Sequence, residues 1–246
     1  MRVAPEAPVA VLSPHLDDAV LSVWSVLAGR GPTVVVNVCS GLPDGGRASR
    51  WDRVTGASDS REQMRGRIEE DQTALALSGA EPAGLGLLDS QYRDGGLDPD
   101  AVRELALEAV PEVSALYAPA AIGGHPDHLA VRAAAFELAP RDGPPLTLYA
   151  DQPYASRFGW PAWVSGEPED LRRLPEADWE GWLEGLPADR KALAPRVERL
   201  DDESAAAKLA AMRCYESQFP ALDGGGLRRM SNPYAHRFEV VWEIGG

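Results

Sequence analysis

The first 150 residues alternate short apolar runs with helical patterns. A β-branched run at 9–13 precedes a mixed apolar stretch at 19–28, and a second apolar run at 33–38 follows a Gly/Pro break. Strand, helix and strand in this order open a parallel sheet. Further strands are expected at 85–88, 115–118 and 146–149, and further helices at 60–77, 98–110 and 127–139. The sequence therefore predicts an α/β fold, a Rossmann-like three-layer αβα sandwich with a mostly parallel sheet.

Two segments depart from this alternation. Residues 40–60 are rich in Gly, Asp, Ser and Arg, which predicts a long functional or mobile loop. Residues 151–200 carry four of the seven tryptophans without a sustained period, and we expect an insertion or cap within a single domain spanning 1–246. These tryptophans either anchor an irregular subdomain or contact a ligand. A helix at 201–212 and a strand at 237–244, on or near a sheet edge, complete the chain.

The charge balance narrows the class of ligand. Lys and Arg number 24 and Asp and Glu 38, so the net charge is −14. An acidic surface repels phosphate backbones and anionic lipids, which argues against nucleic-acid and membrane partners. The N-terminus does not resemble a signal peptide, and Cys39 and Cys214 are too few for a disulfide framework. We expect a cytoplasmic protein with a small neutral or cationic ligand.

Three of the four histidines fall in two polar clusters. The first contains His15, Asp17 and Asp18, and the second contains His125 and His128. Each cluster follows an expected strand and opens an expected helix. Because ligands of open α/β sheets bind at the carboxyl ends of the strands, both clusters could face one crevice.

Each cluster alone is a weak indication of a metal, since Asp17 and Asp18 could simply cap a helix. Together they could provide the three protein ligands of an open catalytic zinc site. With His15, Asp18 and His128 as ligands, Asp17 and His125 stay free beside the metal. Asp17 could then take a proton from an acidified water, and a protonated His125 could stabilise an oxyanion and protonate a departing amine. This division of roles favours amide hydrolysis.

The segments Ser13-Pro-His-Leu-Asp-Asp-Ala-Val-Leu-Ser22 and Gly124-His-Pro-Asp-His128 resemble the two motifs of the PIG-L (LmbE-like) family of zinc-dependent N-deacetylases. Members remove acetyl groups from N-acetylglucosamine units of several kinds of acceptor. The resemblance implies the same metal ligands as above, Asp17 as general base and His125 as electrostatic partner. It also implies that Arg67, in an Arg-x-x-Glu pattern, reaches the substrate pocket; the alternative is a solvated helix residue.

The chain departs from the family pattern at three places. Leu16 replaces a proline, which should only loosen the turn, and Ala19 replaces a glutamate beside the site. A tyrosine that usually precedes the second motif is absent, and Tyr117 or Tyr154 could substitute for it. No expected ligand or base is lost, so the chemistry is expected to survive while substrate contacts differ.

The leading hypothesis is therefore a Zn²⁺-dependent deacetylase of the hydrolase class. Its substrate would be a small-molecule glycoside with an N-acetylated, or similarly N-acylated, amino sugar. An amidase acting on another amide or on a sugar-thiol conjugate is the alternative, and a non-catalytic metal- or sugar-binding protein is less favoured. The motifs do not define the substrate, the native metal or the oligomeric state.

Overall fold

A computed structural model of the 246-residue chain describes residues 7–140, 143–157, 160–166, 179, 181–187, 193–223 and 230–244. The described strands form one seven-stranded sheet in the order β3-β2-β1-β4-β5-β7-β6. These strands are β1 Val9–Ser13, β2 Thr33–Asn37, β3 Glu81–Gly84, β4 Ala115–Pro119, β5 Leu146–Tyr149, β6 Pro195–Arg199 and β7 Phe238–Ile244.

Helices connect the strands. In chain order they are α1 Asp18–Ser22, α2 Trp24–Leu27, α3 Arg50–Val54, α4 Ser60–Ala76, α5 Pro99–Ala109, α6 Pro126–Leu138, α7 Ala162–Ser165, α8 Asp202–Met212, α9 Phe219–Leu222 and α10 Pro233–His236. A single 3₁₀ turn covers Ser90–Tyr92. Within the described residues, no helix has both the length and the apolar character needed to cross a bilayer.

The sheet is parallel from β3 to β5, while β7 runs antiparallel to both β5 and β6. Strand β1 lies in the middle of the five parallel strands, with Val9 paired to Thr33 of β2 on one side and to Ala115 of β4 on the other. The chain therefore reverses its direction of winding between β1 and β4. Ligands of open α/β sheets bind at such a switch point, beyond the carboxyl ends of the strands.

Both faces of the sheet are covered. Along β1, Ala10 and Leu12 enter one apolar cluster and Val11 enters the other, as the period of a strand requires. Helices α5 and α6 contribute Val102 and Val131, among others, to the first cluster. Helices α1, α2, α4 and α8 pack on the opposite face. The expected three-layer αβα sandwich with a mostly parallel sheet is confirmed.

Three local features differ from the sequence-based expectation. Strand β3 covers Glu81–Gly84 rather than 85–88, because the edge strand is largely exposed and lacks large apolar side chains, while Leu85 and Leu87 pack onto the core beyond it. The helix expected at 19–28 is interrupted at Val23, and the loop 40–60 contains the short helix α3.

The strand β6, at the other edge of the sheet, was missed inside the expected insertion. Its sequence Pro-Arg-Val-Glu-Arg has one apolar residue, and an edge strand needs little apolar surface. Strand β7 is therefore next to the edge, which agrees with its expected place on or near it.

Candidate metal centre and active site

The first polar cluster forms a tight turn between β1 and α1. The Ser13 hydroxyl donates to the backbone oxygen of His15 at 2.6 Å and accepts from the amide of Ala19 at 3.1 Å. The amide of His15 donates to Asp18 Oδ2 at 2.8 Å. Asp17 occupies the N-cap position, yet its side chain makes no capping hydrogen bond. The capping alternative therefore does not explain Asp17, whose carboxylate lines a pocket instead.

The second cluster follows a turn with unusual backbone angles. Gly123 and Gly124 have φ of 89° and 70°, and Ala121 has φ of 60°. A Cβ on Gly124 would lie 2.3 Å from the Trp182 ring, so this position requires glycine for space as well as for φ. His125 caps α6 by accepting the amide of the second following residue through Nδ1 at 3.3 Å. The neutral imidazole therefore carries its proton on Nε2.

Three atoms from the two clusters form a nearly equilateral triangle. His15 Nδ1 lies 3.2 Å from Asp18 Oδ2, and His128 Nε2 lies 3.3 Å from that oxygen and 3.4 Å from His15 Nδ1. Tetrahedral zinc with bonds of about 2.0–2.1 Å places its ligand atoms about 3.3–3.4 Å apart. The triangle thus matches three corners of a zinc coordination sphere.

Carboxylates hold the other nitrogen of each ring. His15 Nε2 lies 3.2 Å from Asp127 Oδ2, and His128 Nδ1 lies 2.6 Å from Asp151 Oδ1. Such pairs fix the ring orientation and direct the free nitrogen of a metal-ligating histidine at the metal. Both rings are therefore set for ligation through the atoms of the triangle.

Asp127 is in turn fixed by its own partners. It is fully buried, accepts the amide of Ser90 at 3.1 Å and forms an ion pair with Arg93. Burial raises the pKa of this carboxylate, but hydrogen bonds from His15, Arg93 and Ser90 hold it well below the usual range. The orientation of His15 thus depends on the loop that follows β3.

The cluster attracts positive charge. Burial lowers the pKa of His128, but Asp18 and Asp151 raise it to about 9. The pKa of His15 is likewise raised well above its usual value by the facing carboxylates, which outweigh burial. The two histidines keep the pKa of Asp18 far below its normal range, again against burial. A dication could replace these protons at the centre of the triangle.

Two other groups of side chains in the described chain have metal-like spacing, and both include His15. In one, His125 joins His15 and His128, but its Nδ1 already accepts a backbone amide. In the other, Cys39 and Asp127 face the opposite side of the His15 ring, where burial raises the pKa of the thiol to about 12. The Asp18-containing triangle fits a metal better than either.

Asp17 and His125 flank the triangle without belonging to it. Burial, and then the neighbouring Asp18, raise the pKa of Asp17, while Arg67 opposes the shift. A carboxylate with a raised pKa is suited to accept a proton. Burial, and then the adjacent histidines, lower the pKa of His125 to about 4. The His125 ring is therefore neutral near pH 7 and offers an Nε2–H donor.

A pocket of about 260 Å³ lies above the triangle. Its polar wall includes Arg67, which is 4% exposed and whose Nη1 lies 3.5 Å from Asp89 Oδ2. The expected position of Arg67 at the pocket is thus what the structure shows, and the solvated alternative is not. Tyr154 also lines the pocket and packs edge-on against His128, whereas Tyr117 packs in the core. Of these two tyrosines, Tyr154 is therefore the one that lies at the pocket.

The tryptophans of 151–200 lie away from the pocket lining. Trp160 and Trp179 are buried, with ring centroids 5.9 Å apart, and Trp163 packs edge-on against Trp179. Trp182 backs the Gly124 turn. The anchoring alternative therefore describes them, and the pocket-lining tryptophan of the described chain is Trp51 in α3.

The sequence did not predict a role for three carboxylates that the structure places at the site. Asp89 follows β3, Asp127 lies inside the second motif, and Asp151 follows β5. Asp89 and Asp151 could have been found by the rule that identified the histidines, because they lie at the same edge of the sheet.

The fold and the site together define an α/β protein with a His/Asp cluster at the switch point of its sheet. A family profile described as PIG-L, GlcNAc-PI de-N-acetylase, matches residues 10–139. The chain belongs to this family, as the two motifs implied.

A curated relative and two solved structures are similar to the chain. The 2'-N-acetylparomamine deacetylase of Streptomyces fradiae is 33% identical over 171 residues, which cover 60% of this chain but only 57% of that protein. The structure of the A40926 pseudoaglycone deacetylase Dbv21 has a TM-score of 0.73 and 28% identity, with 97% of each chain covered. The zinc-inhibited form of teicoplanin deacetylase Orf2 has a TM-score of 0.70 at 22% identity, covering 96% of this chain and 97% of that one, and shows a common fold.

Proposed function

We propose that this protein is a zinc-dependent N-deacetylase. It would remove an acetyl or similar acyl group from an amino sugar within a small-molecule glycoside. The observation that carries the proposal is the triangle of His15, Asp18 and His128 with two unligated groups, Asp17 and His125, at its side. A purely structural zinc site has four protein ligands and no need of a free carboxylate at an open position.

The proposed metal ligands are His15 Nδ1, Asp18 Oδ2 and His128 Nε2. Zinc held there would supply a Lewis acid that makes water more acidic and polarises a carbonyl. Asp17 would act as general base and take the proton of the attacking water, for which its buried position and raised pKa are suited.

His125 would work as a neutral hydrogen-bond donor. Its Nε2–H would stabilise the oxygen of the amide as negative charge develops there. The original expectation of a protonated His125 fits the lowered pKa of about 4 less well. Asp17, once protonated, is then the better source of the proton for the departing amine.

The similar proteins support the substrate class. One is named for the deacetylation of 2'-N-acetylparomamine and another for that of the A40926 pseudoaglycone. Arg67, on the polar wall of the pocket, would contact the substrate. The segment 151–200 would belong to the same domain and contribute to substrate binding through Pro153 and Tyr154, which line the pocket.

The proposal is tested by following acetate and free amine during incubation with 2'-N-acetylparomamine and with N-acetylglucosamine. We expect equal amounts of acetate and amine to be released. This release should stop after chelation of the metal and resume when zinc is added. If both probes stay intact while an amide without an amino sugar releases its amine, the alternative amidase is supported instead. Zinc binding with no turnover on any N-acyl amine would support a non-catalytic protein.

A further inference from the structure

The pocket is lined by apolar as well as polar side chains. The apolar ones belong to Leu21, Trp51, Pro153 and Leu222. The ionisable groups of the site, including Asp17 and Arg67, line the same pocket. A ligand that fits must therefore present both apolar surface and polar groups.

The Trp51 ring is held by a hydrogen bond from its only polar atom. Its Nε1–H donates to Gln218 Oε1 at 2.7 Å. Because the indole has no other donor and no acceptor, it has no hydrogen bond left to offer a ligand. The part of the half-buried ring that lines the pocket can contribute only its apolar surface.

Gln218, which also lines the pocket, is itself held in place. It is 2% exposed, and its Nε2 donates to the Ser217 hydroxyl at 3.2 Å. Ser217 donates its amide and its hydroxyl to Glu70 of α4, at 2.8 Å and 2.7 Å. The acceptor of the Trp51 hydrogen bond is thus anchored to a long helix.

The helix that carries Trp51 is also restrained. A capping box joins Ser49 and Asp52 at the start of α3. The fully buried Asp52 carboxylate also accepts from the hydroxyls of Ser60 and Tyr92, the latter at 2.8 Å. Together with the hydrogen bond from Trp51 to Gln218, these contacts restrain the indole.

From this geometry we infer that Trp51 is the platform on which the sugar ring of the substrate stacks, with Gln218 as its positioning residue. This inference rests on the proposed function. A pyranose has an apolar C–H face and a polar hydroxyl edge, which match the two kinds of lining side chain. Trp51 therefore selects cyclic amino-sugar amides over small acyclic amides that the same catalytic groups could hydrolyse.

The test compares two probes with the same amide. One is methyl 2-acetamido-2-deoxy-β-glucopyranoside, and the other is N-acetylethanolamine, which has no ring. For Trp51→Ala we expect the KM for the glycoside to rise about tenfold or more, with kcat/KM for the acyclic amide within about twofold of wild type. Trp51→Phe keeps an aromatic face, so its KM for the glycoside should lie between those of wild type and Trp51→Ala. Trp163→Ala is the control, at a half-exposed tryptophan outside the pocket lining. It should leave KM and kcat/KM unchanged for both probes.

Two variants test the role of Gln218. Gln218→Leu removes the acceptor and should raise the KM for the glycoside with kcat unchanged. Gln218→Glu keeps an acceptor for the indole but loses the donor to Ser217, so its KM for the glycoside should lie between those of wild type and Gln218→Leu. A loss of kcat on both probes, or an unchanged KM in Trp51→Ala, overturns the inference.

Binding distinguishes this inference from the proposed function. If wild-type protein releases no acetate from either probe, the proposed function fails, and calorimetric binding of the glycoside then decides the role of Trp51. Binding about tenfold weaker in Trp51→Ala than in wild type would support the platform. Equal binding, or no measurable binding to the wild type, would contradict it.

Discussion

His128 Nδ1 and Asp151 Oδ1 lie 2.6 Å apart, and both side chains are completely buried. The other oxygen of Asp151 accepts the amide of Ile122 at 2.9 Å. The carboxylate therefore joins the turn before the second motif to the ring of a proposed metal ligand. A ring held in this way keeps Nε2 directed at Asp18.

We expect Asp151→Asn to weaken zinc binding about 10- to 100-fold, because the charge that supports the His128 ring is lost. The introduced NH₂ would also face either the Ile122 amide or the ring nitrogen, both of which need an acceptor. Competition with a chromogenic chelator measures the affinity. Asp100→Asn, at an exposed carboxylate, is the control and should leave the affinity unchanged.

Replacing a proposed ligand should remove the metal altogether. His128→Ala deletes one corner of the triangle, so zinc measured by elemental analysis after dialysis should fall well below one ion per chain. His236→Gln is the control, since His236 is buried against the Met230 carbonyl outside the site. Unchanged zinc in His128→Ala would refute its role as a ligand.

The Gly124 turn should tolerate no side chain. In Gly124→Ala the new Cβ would meet the Trp182 ring at 2.3 Å, in addition to the strain of φ at 70°. Gly79→Ala is a matched control, because φ there is 80° but no atom lies within 4 Å. The control should lose about 1–2 kcal/mol of unfolding free energy, and Gly124→Ala clearly more, in urea denaturation. Equal losses would show that Trp182 does not confine this turn.

Asp71 should make stability depend on pH. Burial raises its pKa to about 7, although Tyr215 and Asn37 donate hydrogen bonds to it. Because the folded state binds this proton more tightly than the unfolded state, the free energy of unfolding should fall as pH rises from about 4 to about 7, and not further above. The slope is at most about 1.4 kcal/mol per pH unit.

Asp71→Asn should remove that part of the pH dependence. Asn37 Oδ1 has no hydrogen-bond partner among the described residues, so a flipped Asn37 amide could accept from the introduced amide. Urea unfolding of both proteins at several pH values between 5 and 8 gives the comparison. Parallel stability curves would show that Asp71 is ionised throughout this range.

The architecture and the site histidines were predictable because both depend on local pattern. The alternation of strands and helices fixes the parallel sheet, and polar residues after β1 and β4 then meet at one edge. The proximity of His15, Asp18 and His128 could therefore be predicted, although His15 and His128 are far apart in sequence.

Contacts between distant segments were not predictable in this way. Trp51 and Gln218 are separated by 167 positions, and Trp51 lies in a segment without a motif. The partners of Asp127 come from a loop after an edge strand whose position the apolar pattern misplaced. Such contacts depend on how the loops pack, and neither the hydrophobic periodicity nor the spacing of motif residues predicts that packing.

The most direct test of the proposed mechanism is the metal content and turnover of Asp17→Asn. We expect about one zinc ion per chain, as in wild type, with acetate release reduced at least about 100-fold, because the proton acceptor is lost while the three proposed ligands stay in place. Acetate release at the wild-type rate from this zinc-loaded variant would contradict it.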